Sequence, residues 1–157
     1  MSHAEVEQAL LDAARLVPTQ DVLVLGSGAL ALATHERVGD GWVYVVQSQV
    51  DELEELLGAA HAAGASGVAY LVGEAPVLPL PDDAVAAALG RIATDEGALG
   101  AAAEELARVL SSGGRASFAE PGAGAGDELA SALAAAGFEQ IQVEPVGQEA
   151  VVSGRLG

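Results

Sequence analysis

The chain contains no cysteine and no lysine, and only 3% of its residues are aromatic. Without cysteine it has no disulfide, no thiolate metal site and no cysteine nucleophile. With so few aromatic rings, its core must be built from valine, leucine and alanine and must depend on close backbone packing. The three histidines, His3, His35 and His61, lack the spacing of metal ligands, so we predict no metal site.

Positive charge is also scarce, since six arginines face 23 acidic residues and the net charge is −17. Such a surface repels phosphate backbones and anionic lipid, which makes nucleic acid and membranes poor partners. The acidity has two explanations, salt adaptation or a GC-rich genome, and the excess of glutamate over aspartate favours the second. The sequence begins with no basic segment followed by an apolar one, and no apolar run approaches about 18 residues. We therefore expect a cytoplasmic protein.

Strand-like and helical segments alternate along a chain long enough, at 157 residues, for one domain spanning 1–157. The predicted helices are 4–16, 28–38, 50–63, 97–110 and 127–136, and the predicted strands are 22–25, 42–46, 68–72, 84–89, 115–119, 138–146 and 149–155. Alternation predicts an α/β fold, a Rossmann-like three-layer sandwich with a mainly parallel seven-stranded sheet. The last two strands should form an antiparallel hairpin, giving the strand order 3-2-1-4-5-7-6.

Two sequence motifs and two shorter signals carry a family resemblance. A strand at 21–25 runs into the turn Gly26-Ser-Gly28, and about fifty residues later comes Val72-Gly-Glu-Ala-Pro-Val-Leu-Pro-Leu-Pro-Asp-Asp83. Arg108-Val-Leu-Ser-Ser-Gly-Gly-Arg115 and Ala136-Gly-Phe138 follow. In this order and spacing they make the chain resemble class I S-adenosylmethionine (SAM) dependent methyltransferases. The resemblance is greatest to the branch of ubiquinone/menaquinone and arsenite methyltransferases, although arsenic chemistry is excluded because cysteine is absent.

The resemblance implies SAM as the cofactor and assigns five residues to its site. Gly26 and Gly28 correspond to glycines that let the backbone approach the amino-acid half of SAM, where any Cβ would collide. Gln47 occupies the position of an acid that accepts hydrogen bonds from the ribose hydroxyls. Glu74, followed by Ala75, keeps a carboxylate at the position that often contacts the adenine amino group.

Other positions depart from the family pattern. Val24 replaces one acid of the family pattern, and Ala86 replaces another on the fourth strand. Leu30 replaces the third glycine, and we expect its side chain to project into the cofactor space. Removing one charge-assisted contact costs about 1.5–3 kcal/mol, so two or three losses move a micromolar site toward millimolar. We therefore expect a degenerate methyltransferase-like domain, catalytically weak or inactive, that serves as an interaction or scaffold domain.

Two enzyme functions remain as alternatives. The first is an active SAM-dependent methyltransferase acting on an unknown small molecule, with no catalytic residue assigned. Asp82 and Asp83 are candidates, but a solvated acid pair at the end of a loop is the commoner explanation. The second is an NADP-type dinucleotide-binding protein, because Gly26-x-Gly28-x-x-Ala31 matches that fingerprint. The acid expected about twenty residues later is absent, since Gln47 stands there.

The chain shows no segment long enough to form a lid over a substrate, since the helix at 4–16 is short and only 120–126 follow the fifth strand. Apolar surface should therefore remain uncovered and favour a homodimer whose stability rises with salt. The residues expected to contribute are Val6, Leu10, Ala13 and Leu16 of the first helix and Ile141, Val143 and Val151 of the hairpin.

Overall fold

The computed structural model describes residues 3–25, 28–47, 58, 67–73, 78–91, 99–121, 125–146 and 149–157. Its helices are α1 (His3–Ala14), α2 (Gly28–Val38), α3 (Leu99–Val109) and α4 (Ala125–Ala135). Its strands are β1 (Val22–Leu25), β2 (Val43–Gln47), β3 (Val68–Val72), β4 (Val85–Arg91), β5 (Leu110–Pro121), β6 (Phe138–Val146) and β7 (Glu149–Leu156). The helix predicted over 50–63 lies outside these ranges except at Gly58, which is helical. No helix within them is long and apolar enough to cross a membrane.

The strands form one seven-stranded sheet in the order β3-β2-β1-β4-β5-β7-β6. From β3 to β5 all neighbours are parallel, and β7 runs antiparallel to both β5 and β6. This confirms the predicted fold class and strand order. The chain builds outward from β1 to β3 on one side and then crosses to β4 on the other side of β1. The sheet therefore has a topological switch point between β1 and β4.

Helices cover both faces of the sheet, which explains why β1 is apolar at all four positions. Val22 and Val24 face a core cluster formed with α1 and α2, whereas Leu23 and Leu25 face a second cluster formed with α3 and α4. All four side chains are buried. The first cluster is called the α1-side core below.

Strand β5 is longer than predicted, because it begins at Leu110 directly after α3. Residues 111–114, between the predicted helix 97–110 and the predicted strand 115–119, are an irregular part of the strand, with a register shift opposite Val85 and Ala87 of β4. Glycine makes this possible. A Cβ at Gly114 would lie 2.8 Å from the Ser111 carbonyl oxygen, and Gly113 has φ +82°.

The apolar stripe of α1 packs against the sheet of its own chain. Val6 and Leu10 are buried, as is Val151 of β7. Ala13, Leu16 and Ile141 are partly buried, whereas Val143 is 43% exposed. Three of the seven residues predicted for self-association are therefore buried within the monomer, three are partly accessible and Val143 is exposed.

Candidate functional site

The carboxyl ends of β1, β2 and β4 meet at one edge of the sheet, called the carboxyl edge here. In open α/β sheets, ligands bind at this edge beside the switch point. Two predicted site residues have their backbones at this edge. Gly28 is the first residue of α2, and Gln47 is the last residue of β2 and follows the register pair Leu25–Val46. The other predicted site residues, Gly26, Glu74 and Ala75, lie outside the described residues, as does the side chain of Gln47.

Strands β1 and β4 approach each other closely at this edge because of a glycine. Gly90 pairs with Leu25 and has φ +136°. A Cβ on Gly90 would lie 1.8 Å from the Leu25 carbonyl oxygen, so no other residue fits. The fourth strand was predicted to end at Leu89, so Gly90 was not identified from the sequence. The signal was present, since a glycine directly after an apolar run marks a close backbone approach.

Val24 and Leu30, two of the departures from the family pattern, pack together in the α1-side core. Val24 is 0% exposed and Leu30 is 2% exposed. The expectation that Leu30 projects into the cofactor space is therefore wrong. The first turn of α2 directs this side chain inward, and the Leu30 carbonyl accepts a 2.7 Å hydrogen bond from the buried Thr34 hydroxyl. An acid at either position would be a charge buried among apolar side chains, which is costly. Neither residue fits a polar contact to SAM.

Ala86 lies at the opposite edge of the sheet, called the amino edge here. Its backbone N–H donates to the Asp21 carbonyl oxygen at 2.8 Å, directly before the first residue of β1. Parallel pairing of β1 with β4 places residue 86 about four residues from the carboxyl edge. The interpretation of Ala86 as a lost cofactor contact is therefore wrong. The motif identified the strand correctly, but it did not show at which end of that strand residue 86 lies.

Two of the stretches that carried the resemblance, Val72–Asp83 and Arg108–Arg115, contact each other. The guanidinium of Arg108, in α3, donates to the Leu78 carbonyl at 3.2 Å and to the Asp82 carboxylate at 2.9 Å. Glu105 accepts from the Leu78 backbone N–H at 2.6 Å and forms an ion pair with Arg108. Asp83, with φ +55°, donates its N–H to the Arg108 carbonyl. The acid pair thus anchors the end of the proline-rich loop, which supports a structural role over a catalytic one.

Arg108 and Glu105, with their contacts to Leu78 and Asp82, are called the clamp below. Electrostatic interactions keep both side chains charged at neutral pH. The hydrogen bond from Arg108 lowers the pKa of the Glu105 carboxyl against the opposing effect of burial, and the Leu78 N–H lowers it further. Glu105, and then Asp82, raise the pKa of Arg108 well above its ordinary value. Gly73, at the end of β3, contacts the same loop, since a Cβ there would lie 2.8 Å from Pro79 Cδ. Gly73 and Leu78, which flank residues 74–77, are thus both fixed beside the sheet.

A second ion pair lies at the carboxyl edge and was not predicted. Arg91, at the end of β4, reaches past β5 to Glu149, the first residue of β7, and two guanidinium nitrogens contact the two carboxylate oxygens. Both side chains are partly buried, so the pair crosslinks the sheet. Its sequence signal was a single arginine directly after a strand in an acidic chain. Across the described ranges, no three His, Asp or Glu side chains are grouped as metal ligands.

The fold matches solved structures of SAM-dependent methyltransferases. One from Aquifex aeolicus gives a TM-score of 0.81 at 20% identity, over 99% of this chain and 94% of that one. Another, from Mesorhizobium loti, gives 0.76 at 18% identity, over 94% and 96%. The [4+2]-cyclase SpnF gives 0.84 at 16% identity, over 96% and 80%. No protein-family model matches the chain, and no curated protein matches it in sequence. The neighbours show a class I methyltransferase fold, and identities this low show the fold alone.

Proposed function

We propose that this chain is a SAM-dependent methyltransferase-like domain with weakened cofactor recognition, which transfers methyl groups weakly or not at all and serves mainly as an interaction or scaffold domain. One observation carries the proposal. Val24 and Leu30 stand where the resemblance expects an acid and a glycine, and both are buried in the α1-side core. These positions have become part of the apolar interior. A cyclase among the structural neighbours is consistent with a fold that hosts more than one activity.

Weaker SAM binding is expected because two charge-assisted contacts are lost. The carboxylate expected at residue 24 is missing, and the one expected at residue 47 is replaced by an amide. Gln47 can accept a hydrogen bond through one oxygen, but without the strengthening that charge provides. Each loss costs about 1.5–3 kcal/mol, or about tenfold to a hundredfold in affinity. The close approach of β1 and β4 at Gly90 remains, so residual SAM binding is expected.

Restoring one carboxylate tests this explanation without disturbing the core. Gln47→Asp should bind SAM about tenfold more tightly than the unmodified protein, measured by calorimetry. Gln142→Asp is the matched control, because it makes the same charge change on exposed β6, which four strands separate from β2. Equal affinities for the Gln47→Asp and Gln142→Asp proteins would contradict the assignment of residue 47 to the ribose. Leu30→Gly is unsuitable for this test, since Leu30 belongs to the core.

An active methyltransferase acting on a small molecule is the second candidate. It is favoured by the clamp formed by Arg108 and Glu105, which holds Leu78, four residues after Glu74 in the sequence, in place. The test is release of S-adenosylhomocysteine from SAM in the presence of a panel of small-molecule acceptors. Our proposal predicts no release above the rate without acceptor. Acceptor-dependent release that is lost in Gln47→Ala would establish methyl transfer instead.

A further inference from the structure

A groove of about 560 Å³ lies between α1 and the β6–β7 end of the sheet. Its polar lining includes Gln8, Gln140, Gln142 and Ser153, with the carboxylates of Glu5 and Glu144. Its volume falls within the roughly 300–1,000 Å³ of typical small-molecule sites. Arg115, in its wall, is level with the first residue of β1, because both pair with Ala87 of β4. The end of the groove at Arg115 thus lies toward the amino edge, whereas Val146, at its other end, is the register partner of Glu149.

Two of the six arginines in the chain line this groove, and a third is paired with one of them on the neighbouring strand. Arg15, at the end of α1, and Arg115, in β5, line it. Arg155 of β7 is the direct register partner of Arg115. Its guanidinium extends along β5, since a Cβ on Gly113 would lie 3.4 Å from its Nη2. Within the described part of the chain none of the three forms an ion pair, whereas the other three arginines are each paired with a carboxylate.

This grouping of arginines is unfavourable for the stability of the fold. Like charges directly opposite each other on neighbouring strands are destabilising. Burial, and then the neighbouring guanidiniums of Arg15 and Arg155, lower the pKa of Arg115. Carboxylates are nearby, since Glu5, Asp12 and Glu144 line the groove and Glu139 is the register partner of Arg155 on β6, yet within the described residues none forms an ion pair with these arginines.

The backbone at the groove is also strained. Arg15 follows the last turn of α1 with φ +49°, a conformation in which helices usually place glycine. Gln140 has φ +53° at the register shift of β6, and such irregularities redirect side chains. Strain of this kind in residues other than glycine is concentrated at functional sites. Two independent features, unpaired charge and strained backbone, therefore coincide in one groove.

We propose that this groove binds the phosphate group of a small polar molecule, with Arg15, Arg115 and Arg155 holding the phosphate. Guanidinium groups match phosphate oxygens in bidentate geometry, and a doubly charged anion suits three cations better than a single carboxylate does. The amides of Gln8, Gln140 and Gln142 both donate and accept, so they suit a hydroxyl-bearing remainder. Extended polyanions are disfavoured because the rest of the protein surface repels them. The proposal is independent of the SAM site.

The first experiment measures thermal unfolding and calorimetric binding with inorganic phosphate, ribose 5-phosphate and ribose. Every phosphate titration is compared with sodium chloride at matched ionic strength, since screening alone stabilises an acidic protein. Both phosphates should raise the unfolding temperature beyond the effect of chloride, ribose 5-phosphate should bind more tightly than phosphate, and ribose alone should have no effect. No stabilisation beyond that of chloride would overturn the proposal.

The second experiment uses Arg115→Gln and Arg155→Gln. Each should weaken phosphate binding at least about tenfold. Without phosphate, each should unfold at the same or a higher temperature than the unmodified protein, because repulsion is relieved. Arg91→Gln is the control, since it removes the same charge at the carboxyl edge and should keep the phosphate response. Equal phosphate responses in all three variants would overturn the proposal. So would concentration-dependent self-association that Arg115→Gln abolishes without any phosphate binding, since the groove would then hold a second chain.

Discussion

The substitution Leu30→Ala tests whether this residue belongs to the core or to a cofactor cleft. Leu30 is 2% exposed and packs in the α1-side core. Truncating a buried leucine to alanine costs about 2–5 kcal/mol, through lost burial and the cavity that remains. Alanine favours a helix at least as well as leucine, so helix propensity adds no cost. A domain of this kind has about 5–15 kcal/mol of stability in total, so the loss should be a large fraction of it.

Urea unfolding followed by circular dichroism measures this loss. With a slope of about 2 kcal/mol/M, a loss of 3 kcal/mol would lower the midpoint by about 1.5 M, with the slope unchanged. Glu36→Ala is the control, because Glu36 lies on the same helix with an exposed side chain, and it should change stability by less than about 0.5 kcal/mol. A loss below about 1 kcal/mol for Leu30→Ala, together with tighter SAM binding, would show that Leu30 obstructs a cleft instead of filling the core.

Three further predictions concern the clamp, the switch point and assembly. The pKa of Glu105 is lowered from 4.5, so its ionised form stabilises the protein above about pH 4.5 and the contribution is lost as the pH falls through the folded-state pKa. The stability difference between the unmodified protein and Glu105→Gln, measured by urea unfolding, should therefore shrink in acid, and a constant difference would contradict the ion pair. Gly90→Ala should prevent or severely destabilise folding. Gly100→Ala is its control, on α3 with no atom within 4 Å of the added Cβ, and it should be neutral or stabilising. Equal circular dichroism melting curves for the two variants would refute the steric argument. A homodimer that strengthens with salt remains predicted, and light scattering that shows a monomer at all salt concentrations would contradict it.

The sheet was predictable from the sequence because each strand and helix carries its own local signal. The apolar run at 22–25 indicated a strand buried on both faces, and the hairpin at 138–155 fixed the order of the last two strands. The contact between the proline-rich loop and Arg108 was not predicted, although both motifs were identified. It depends on side chains that meet only when α3 packs beside residues 78–83, directly before β4.

The errors at the site have a common physical cause. A motif gives the position of a residue along a strand or helix, but not the direction of its side chain or its height in the sheet. Leu30 turns into the core, and Ala86 lies at the amino edge. Arg115 and Arg155 are forty residues apart in sequence, and only the antiparallel register of β5 and β7 makes them neighbours. Composition indicated that arginine is rare, but not that half of the arginines form one cluster.

The central claim, weakened SAM recognition, is tested most directly by calorimetric titration of the unmodified protein with SAM. The account predicts a dissociation constant above about 10 µM, because a value below this corresponds to about −7 kcal/mol of intact recognition. The titration with S-adenosylhomocysteine should be equally weak, since the missing contacts at residues 24 and 47 are to parts shared by both molecules. A dissociation constant for SAM below about 10 µM would contradict the account, because it would require a complete set of polar contacts, which Val24, buried in the core, and the uncharged Gln47 do not supply.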